Sequence, residues 1–316
     1  MSSNEAQGVL GMQIQATTGN EAHIMMKRRR DLDVPRGAIT AIALSGVWLM
    51  AFILFFLVRE GLPILKAVPL TDMAAGELWY PASEPARFGM LPLIAGSLAV
   101  TLLSSAMAVP FGIALALFIS DVCPRWLREF CKVSLEVLGF LPSVVLGFIG
   151  MTIIAPHLQM RFELLSGLNL ANASFLLGVM VLPTVASLSE ESLRAVPQAQ
   201  RDASYALGAT RWETLSRVVL PGARRGILHA SILGVMRAIG ETMVVLMASG
   251  GAALLPVSIF DPVRPLTSTI AAEMGETPVG SPHYHALFFM GCLLLLFTLA
   301  LNIAVLKLES GKRSER

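Results

Sequence analysis

Charge is scarce in this sequence, and its scarcity excludes most of what a chain of this length could be. Only 15% of the 316 residues are Asp, Glu, Lys or Arg, against 54% from the hydrophobic set, a balance that a soluble domain could not hide in its core. The excess needs lipid. Cysteine is nearly missing too. Cys123, Cys131 and Cys292 give no disulfide framework, because the first two fall on the cytoplasmic side of the topology derived below and the third inside a span. Their spacing fits no metal site. A Gly-x-x-x-x-Gly-Lys-Ser/Thr loop is also missing, so nothing here cradles nucleotide phosphates in the usual way and any ATP hydrolysis must come from another chain. No Ser/His/Asp or paired-carboxylate arrangement can be assembled in one site, so the chain does not read as an enzyme. It calls for no cofactor and no nucleic-acid partner.

Long apolar runs are what is there instead. One helical crossing takes about 20 apolar residues, and six windows qualify: Gly37 to Val58, Leu91 to Ser120, Val133 to Pro156, Ala173 to Leu193, Gly226 to Gly250 and Ala286 to Leu306. Lipid offers no partner for an open strand edge, so the expected fold is all-α and polytopic. Basic residues set the orientation. Lys27, Arg28, Arg29, Arg30 and Arg36 precede the first span, and Arg125, Arg128 and Lys132 lie between the second and third. Arg194, Arg201, Arg211, Arg217, Arg224 and Arg225 follow the fourth, and Lys307, Lys312, Arg313 and Arg316 close the chain. The alternate loops are poorer, with Lys66, Arg87, Arg161 and Arg264, so both termini are expected in the cytoplasm.

The first run is too long for the apolar core of a signal peptide and lacks a clear cleavage site, so an uncleaved anchor is expected. Residues before Pro35 show no apolar period and read as a flexible tail. The organisation that follows is a cytoplasmic tail over 1–36, then a first transmembrane helix and periplasmic loop over 37–90. A core transmembrane domain over 91–307 carries a cytoplasmic hairpin at 195–225, and a cytoplasmic tail covers 308–316.

That hairpin has the grammar of two short helices. Pro197 suits a first helical turn and Gly208 a left-handed stop. Thr210-Arg211-Trp212-Glu213 reads as a capping box, and Leu220-Pro221 ends or bends the second helix. A basic amphipathic hairpin resting on anionic headgroups would account for Trp212 and the arginines. The spacing carries more than that. Asp202-Ala203-Ser204, then Gly208, then Val218-x-Leu220-Pro221 resembles the EAA loop of ATP-binding-cassette importer permeases. Asp stands for Glu, Ser for the second Ala and Val for Ile. The resemblance implies a type I importer permease fold in which Gln200 to Trp212 is the coupling helix seated in a groove of a nucleotide-binding subunit.

Three further stretches resemble the C-type permease, PstC, of the phosphate-specific transport system. They are Leu141-Pro142-Ser143-Val144-Val145-Leu146-Gly147, Arg237-Ala238-Ile239-Gly240-Glu241-Thr242-Met243 and Ser281-Pro282-His283-Tyr284-His285-Ala286-Leu287. The likeness runs from about Leu91 to Asn302. It implies inorganic phosphate moved across the inner membrane by alternating access. It also implies a sister A-type permease as heterodimer partner, two copies of an ATP-binding subunit and a periplasmic phosphate-binding protein. The alternatives are another small oxyanion (sulfate or molybdate), or a stand-alone secondary transporter, which would show internal repeats and no docking hairpin. A sensor that reports phosphate status to a kinase is a further role open to such a chain.

Within the fifth window, Arg237 lies about 16 Å from Gly226 at the helical rise, near half the hydrocarbon thickness. A charge at that depth costs several kcal/mol unless it has a partner or a wet cavity. Glu241 follows at i+4, and Ala230, Gly234 and Ala238 are expected to leave space on that face. Either the two charges neutralise each other, or Arg237 supplies the donor fork for phosphate oxygens and Glu241 accepts the proton that phosphate carries and sulfate does not. Ser143 and Thr184, each following a proline, and Thr242 are the supporting pathway candidates. A Ser or Thr bonding back to its own helix is the plainer account of the first two. An interfacial belt and helix cap is the plainer account of His283, Tyr284 and His285.

The orientation is testable with single cysteines. One placed at Gly280 should be labelled by an impermeant thiol reagent from outside, and one at Ser314 should not. Labelling of both from outside would exclude six spans with both ends inside.

Overall fold

A computed structural model describes residues 39–310, with side chains over 39–303. The tail expected at 1–36 lies outside the described residues, as does most of the one at 308–316. The chain divides into two compact units, Met1–Leu57 and Val58–Arg316. Described residues of the first are helical and belong to the apolar span α1 (Ile39–Lys66), with side chains such as Trp48 and Phe55 exposed.

In the second unit, α2 (Leu70–Ala75) and an antiparallel ribbon of β1 (Trp79–Tyr80) and β2 (Arg87–Phe88) precede α3 (Leu91–Val122). Then come α4 (Arg125–Phe140), α5 (Ser143–Phe162), α6 (Leu170–Arg194), α7 (Gln198–Ala206) and α8 (Arg211–Thr214). The last four are α9 (Leu220–Ile239), α10 (Met243–Ala248), α11 (Leu266–Glu273) and α12 (Pro282–Ser310). Five spans among the described residues are long and apolar enough to cross a membrane: α1, α3, α5, α6 and Pro282–Ile303 of α12.

Two expected spans are divided. The third, Val133 to Pro156, breaks at Leu141–Pro142, because Pro142 has no N–H to give a helix and pushes Leu141 to extended backbone (φ −59°, ψ 129°). The charged, amphipathic α4 ends there, and the apolar span runs over Ser143–Phe162 instead. The fifth, Gly226 to Gly250, begins earlier at Leu220 and is interrupted between Ile239 and Met243. Leu220-Pro221 does not end the helix. A π turn over Leu215–Val219 runs straight into α9, and Pro221 sits in the first turn, where its missing N–H is tolerated and the wider turn before it relieves the ring.

α6 is the axis of the core, with α3 and α9 packed against it. Close approach depends on glycine. A Cβ on Gly112 would come within 2.9 Å of the Val185 side chain, one on Gly234 within 2.5 Å of it, and one on Gly226 would collide with Ser192. Where lipid is as apolar as leucine, such backbone-to-side-chain packing supplies most of the association.

The start of α6 shows how an interior helix end is satisfied. Its first four amides are all paired: Leu170 N donates to Asp261 O (2.9 Å), Ala171 N to Ile259 O (2.8 Å), Asn172 N to Asn169 Oδ1 (3.0 Å) and Ala173 N to Asn169 O (3.1 Å). The segment after α10 therefore folds back over the end of α6, through Gly250 at φ +90°. A Cβ there would lie 2.5 Å from Leu168 O, whereas one on Gly251 (φ +68°) meets nothing within 4 Å. Gly251→Ala should cost about 1–2 kcal/mol from the left-handed backbone alone, and Gly250→Ala distinctly more. Thermal unfolding of the purified chain would measure this, and equal losses would mean that the fold-back is loose.

Candidate functional site

The interruption between α9 and α10 is where the sequence placed its charged pair, and it changes how the pair is read. Glu241 does not follow Arg237 on one helix, because the helix has ended at Ile239. Its carboxylate turns forward: Oε1 accepts from the amides of Met243 (3.1 Å) and Val244 (3.3 Å), capping α10. The Glu241 carbonyl accepts from Thr267 Oγ1 of α11 at 2.8 Å. Thr242, half-buried, occupies the capping position of α10, its hydroxyl 3.4 Å from Gly240 O.

Arg237 is exposed and forms no ion pair with Glu241 among the described residues. Its Nη1 donates to Thr184 Oγ1 at 3.3 Å, so Thr184 faces across to α9 and does not bond back to its own helix. Thr184 stands about 21 Å along α6, a helix about 37 Å long, so the contact lies near the middle. The space expected beside Ala230, Gly234 and Ala238 is filled. These three are buried, with Gly234 against Val181 and Val185, and the arginine emerges at the edge of that contact. Ser143, half-buried, is the first residue of α5, and its hydroxyl makes no hydrogen bond among the described residues. Gly147 of α5 meets Met243 and Met247, and Gly150 meets Ala248, so α5 and α10 run side by side in the same direction. Ser143 thereby stands at the same end of that pair as Thr242.

The hairpin folds largely as its sequence reads. Gly208 has φ +84° and open space around it, and Pro197 is the residue just before the first turn. The capping box is complete: Glu213 N donates to Thr210 Oγ1, while Glu213 Oε2 accepts from Thr210 N at 2.9 Å. Those bonds from the Thr210 backbone and hydroxyl hold the Glu213 carboxyl below its ordinary range, so this cap is present at neutral pH and is lost as pH falls through that lowered value. Asp202 accepts from Gln198 Nε2 (3.0 Å), and Ser204 pairs with Thr214 Oγ1 (2.9 Å), pinning α7 to α8. Ala203 is exposed, as are the large side chains of Tyr205, Leu207 and Trp212. Leu220 and Pro221 open α9.

Sequence reasoning missed the polar ties at both ends. Arg128 donates to Ile119 O (2.9 Å) and Ser120 O (3.0 Å), closing the end of α3. Glu190, 4% exposed, lies between Lys132 and Arg194. At the opposite end Glu273 receives Arg264 (2.8 Å), His283 (2.7 Å) and Trp79 Nε1 (3.1 Å), and His285 Nδ1 meets Glu60 O at 2.7 Å. These histidines are therefore structural ties as well as residues at the mouth of α12. Arg201 and Asp121, 80 positions apart, also pair. Partners so distant leave no local pattern.

Known proteins give the arrangement its family. Residues 108–314 match the family described as binding-protein-dependent transport system inner membrane component. The chain belongs to that family. It is a multi-pass inner-membrane permease of the ATP-binding-cassette importer class, and hydrolysis resides in other subunits. A probable ABC transporter permease protein, YqgH of Bacillus subtilis, is 36% identical over 93% of this chain and 96% of its own length. The phosphate transport system permease protein PstC of Mesorhizobium japonicum is 30% identical over 88% and 92%. In fold, a chain of the MetNI methionine ABC transporter in an inward-facing conformation aligns with TM-score 0.55 at 20% identity, over 72% of this chain and 97% of that one. A chain of a bacterial alginate ABC transporter aligns with TM-score 0.60 at 12% identity, over 87% and 94%. The fold is thus the type I importer permease fold, whose members work with ATP-binding and substrate-binding partners.

The hairpin angle rests on Gly208. Gly208→Val should insert normally but lose coupled transport, because valine resists a positive φ, while Gly208→Asn should be tolerated. Unchanged transport and unchanged co-purification of the ATP-binding subunit with the valine variant would exclude the docking role that the sequence resemblance leads one to expect of the hairpin.

Proposed function

We propose that this chain is the C-type permease of a phosphate importer, paired with an A-type sister permease above two copies of an ATP-binding subunit. A periplasmic phosphate-binding protein delivers the cargo on the other side, and both termini lie in the cytoplasm. The basic residues at the hairpin end support that orientation, and relatives named as phosphate permeases support the cargo. The observation that carries the reading is Arg237: a guanidinium in the last turn of α9, beside the middle of α6, engaged by one hydroxyl and by no carboxylate among the described residues.

A phosphate anion leaving water needs a counter-charge and donors, and the rest of the Arg237 fork offers both. Thr184 holds that fork in place. Glu241 spends Oε1 on the α10 amides, which leaves Oε2 as the acceptor for a phosphate hydroxyl. Sulfate has no such proton at neutral pH and would meet an unpaired, repelling acceptor. Ser143 and Thr242, at the same end of the α5–α10 pair, are the neighbouring hydroxyls of the pathway, and movement past them is by alternating access.

Neutralising variants test this in membranes that carry the whole complex. Arg237→Gln should assemble normally and lose phosphate uptake by about 10- to 150-fold, the equivalent of ~1.5–3 kcal/mol for a hydrogen bond to a charged group. Glu241→Gln should weaken discrimination against sulfate while some phosphate transport remains. Were the two residues only a structural pair, each single variant would reduce assembly and the double would recover both yield and uptake. Recovery of uptake in the double would sink the anion-site reading.

A further inference from the structure

α7, the first helix of the hairpin, buries none of its side chains. Apolar packing at this end belongs to its neighbours: Leu215 and Val219 of the π turn and Ala223 and Ile227 of α9 sit with Ala116 and Leu193. What attaches α7 is polar. Ser204 ties it to Thr214, within the hairpin itself. Arg201 ties it to the membrane helices: Nη1 meets Asp121 Oδ1 at 2.6 Å, and Nη2 donates to Leu193 O at 2.8 Å. Asp121 lies in the closing π turn of α3, and Leu193 is in the last turn of α6. One guanidinium therefore grips the ends of two core helices, using a carboxylate on one and a last-turn carbonyl on the other.

Both partners are shielded, with side-chain exposures of 13% for Arg201 and 20% for Asp121, so water screens the pair less than a surface bridge. The second carboxylate oxygen of Asp121 is buried without a hydrogen bond, which ties that group to its one charged partner. Arg128 holds the same turn of α3 through Ile119 O and Ser120 O, so a pull on Asp121 acts on a braced helix end and not on a loose loop.

We infer that Arg201 is a positioning residue through which displacement of α7 is passed to α3 and α6. The inference rests on the reading of the hairpin as the docking element for the ATP-binding subunit, and it adds the link from that element to the core. Planarity matters here: a two-armed fork fixes the direction of α7 relative to both helix ends, which a single ammonium point contact does not.

Hydrogen exchange with mass spectrometry on the purified whole complex, with and without ATP, tests it without reference to the cargo. In the unsubstituted complex ATP should change exchange in peptides covering α7, residues 116–122 of α3 and residues 186–194 of α6. In Arg201→Ala the change at α7 should persist and the changes in α3 and α6 should be lost. Persistence of the α3 and α6 changes in that variant would overturn the link and leave the docking reading standing. No ATP-dependent change at α7 in the unsubstituted complex would remove the docking reading and the link together. Should Arg201→Ala fail to accumulate, Asp121→Asn decides. It weakens the α3 arm alone, so the change should vanish from 116–122 and survive in 186–194, and survival at both overturns the inference.

Discussion

Backbone groups at membrane depth have no water to fall back on, and the described structure is organised around that constraint. A crossing that stops being regular helix must find replacement partners inside the protein. Between α9 and α10 the Glu241 carboxylate takes two freed amides and Thr267 takes a freed carbonyl. In α5 the π turn over Gly150–Ile154 is met by Asn172, whose Nδ2 donates to Gly150 O (3.1 Å) and Gly167 O (3.2 Å). That explains a fully buried asparagine in an apolar helix. At these two sites the departure from helix is matched by a polar side chain, so there the irregular backbone and the polar residue are two views of one requirement.

The same requirement gives the charged residues of the two ends a second meaning. Arginine near the hairpin sets topology in the sequence, but Arg128 and Arg201 also close the carbonyl ends of α3 and α6, where a positive charge meets the negative end of the helix dipole. The opposite end uses a carboxylate as its hub. Glu273, at the end of α11, collects Arg264, His283 and Trp79, while Thr267, at the start of α11, reaches the Glu241 carbonyl. Leu266 N donates to Ser97 Oγ of α3 at 2.8 Å. A helix of eight residues is thus held at both ends, and the interruption it supports is held with it.

Local chemistry was legible in the sequence and distant pairing was not. Thr210 and Glu213 announce their capping box because both members lie within one turn, and Gly208 announces a positive φ by lacking a Cβ. Apolar windows overlap all five spans that are long and apolar enough to cross a membrane, and a sixth window, Gly226 to Gly250, is not among those five; a window averages over Leu141-Pro142 and Gly240-Glu241-Thr242 without seeing that each begins a new helix. Placing Glu241 at i+4 from Arg237 assumed a continuous helix, and the assumption failed at Gly240. The pairing of Arg237 with Thr184, 53 positions away, depends on Gly234 drawing α9 close to α6. No periodicity within either helix carries that information.

The interruption also decides what Arg237 can do. On an unbroken helix, Glu241 would stand one turn above the arginine, and in a medium of low polarity the two would pair and satisfy each other. An anion arriving there would compete with a carboxylate already in place. Ending α9 at Ile239 carries Glu241 past that position and gives its carboxylate the α10 amides instead. Arg237 is left with a neutral hydroxyl, a partner weak enough to hold the fork without filling it. The break is therefore what separates the two charges, and it does so by supplying each with a partner that the other cannot replace.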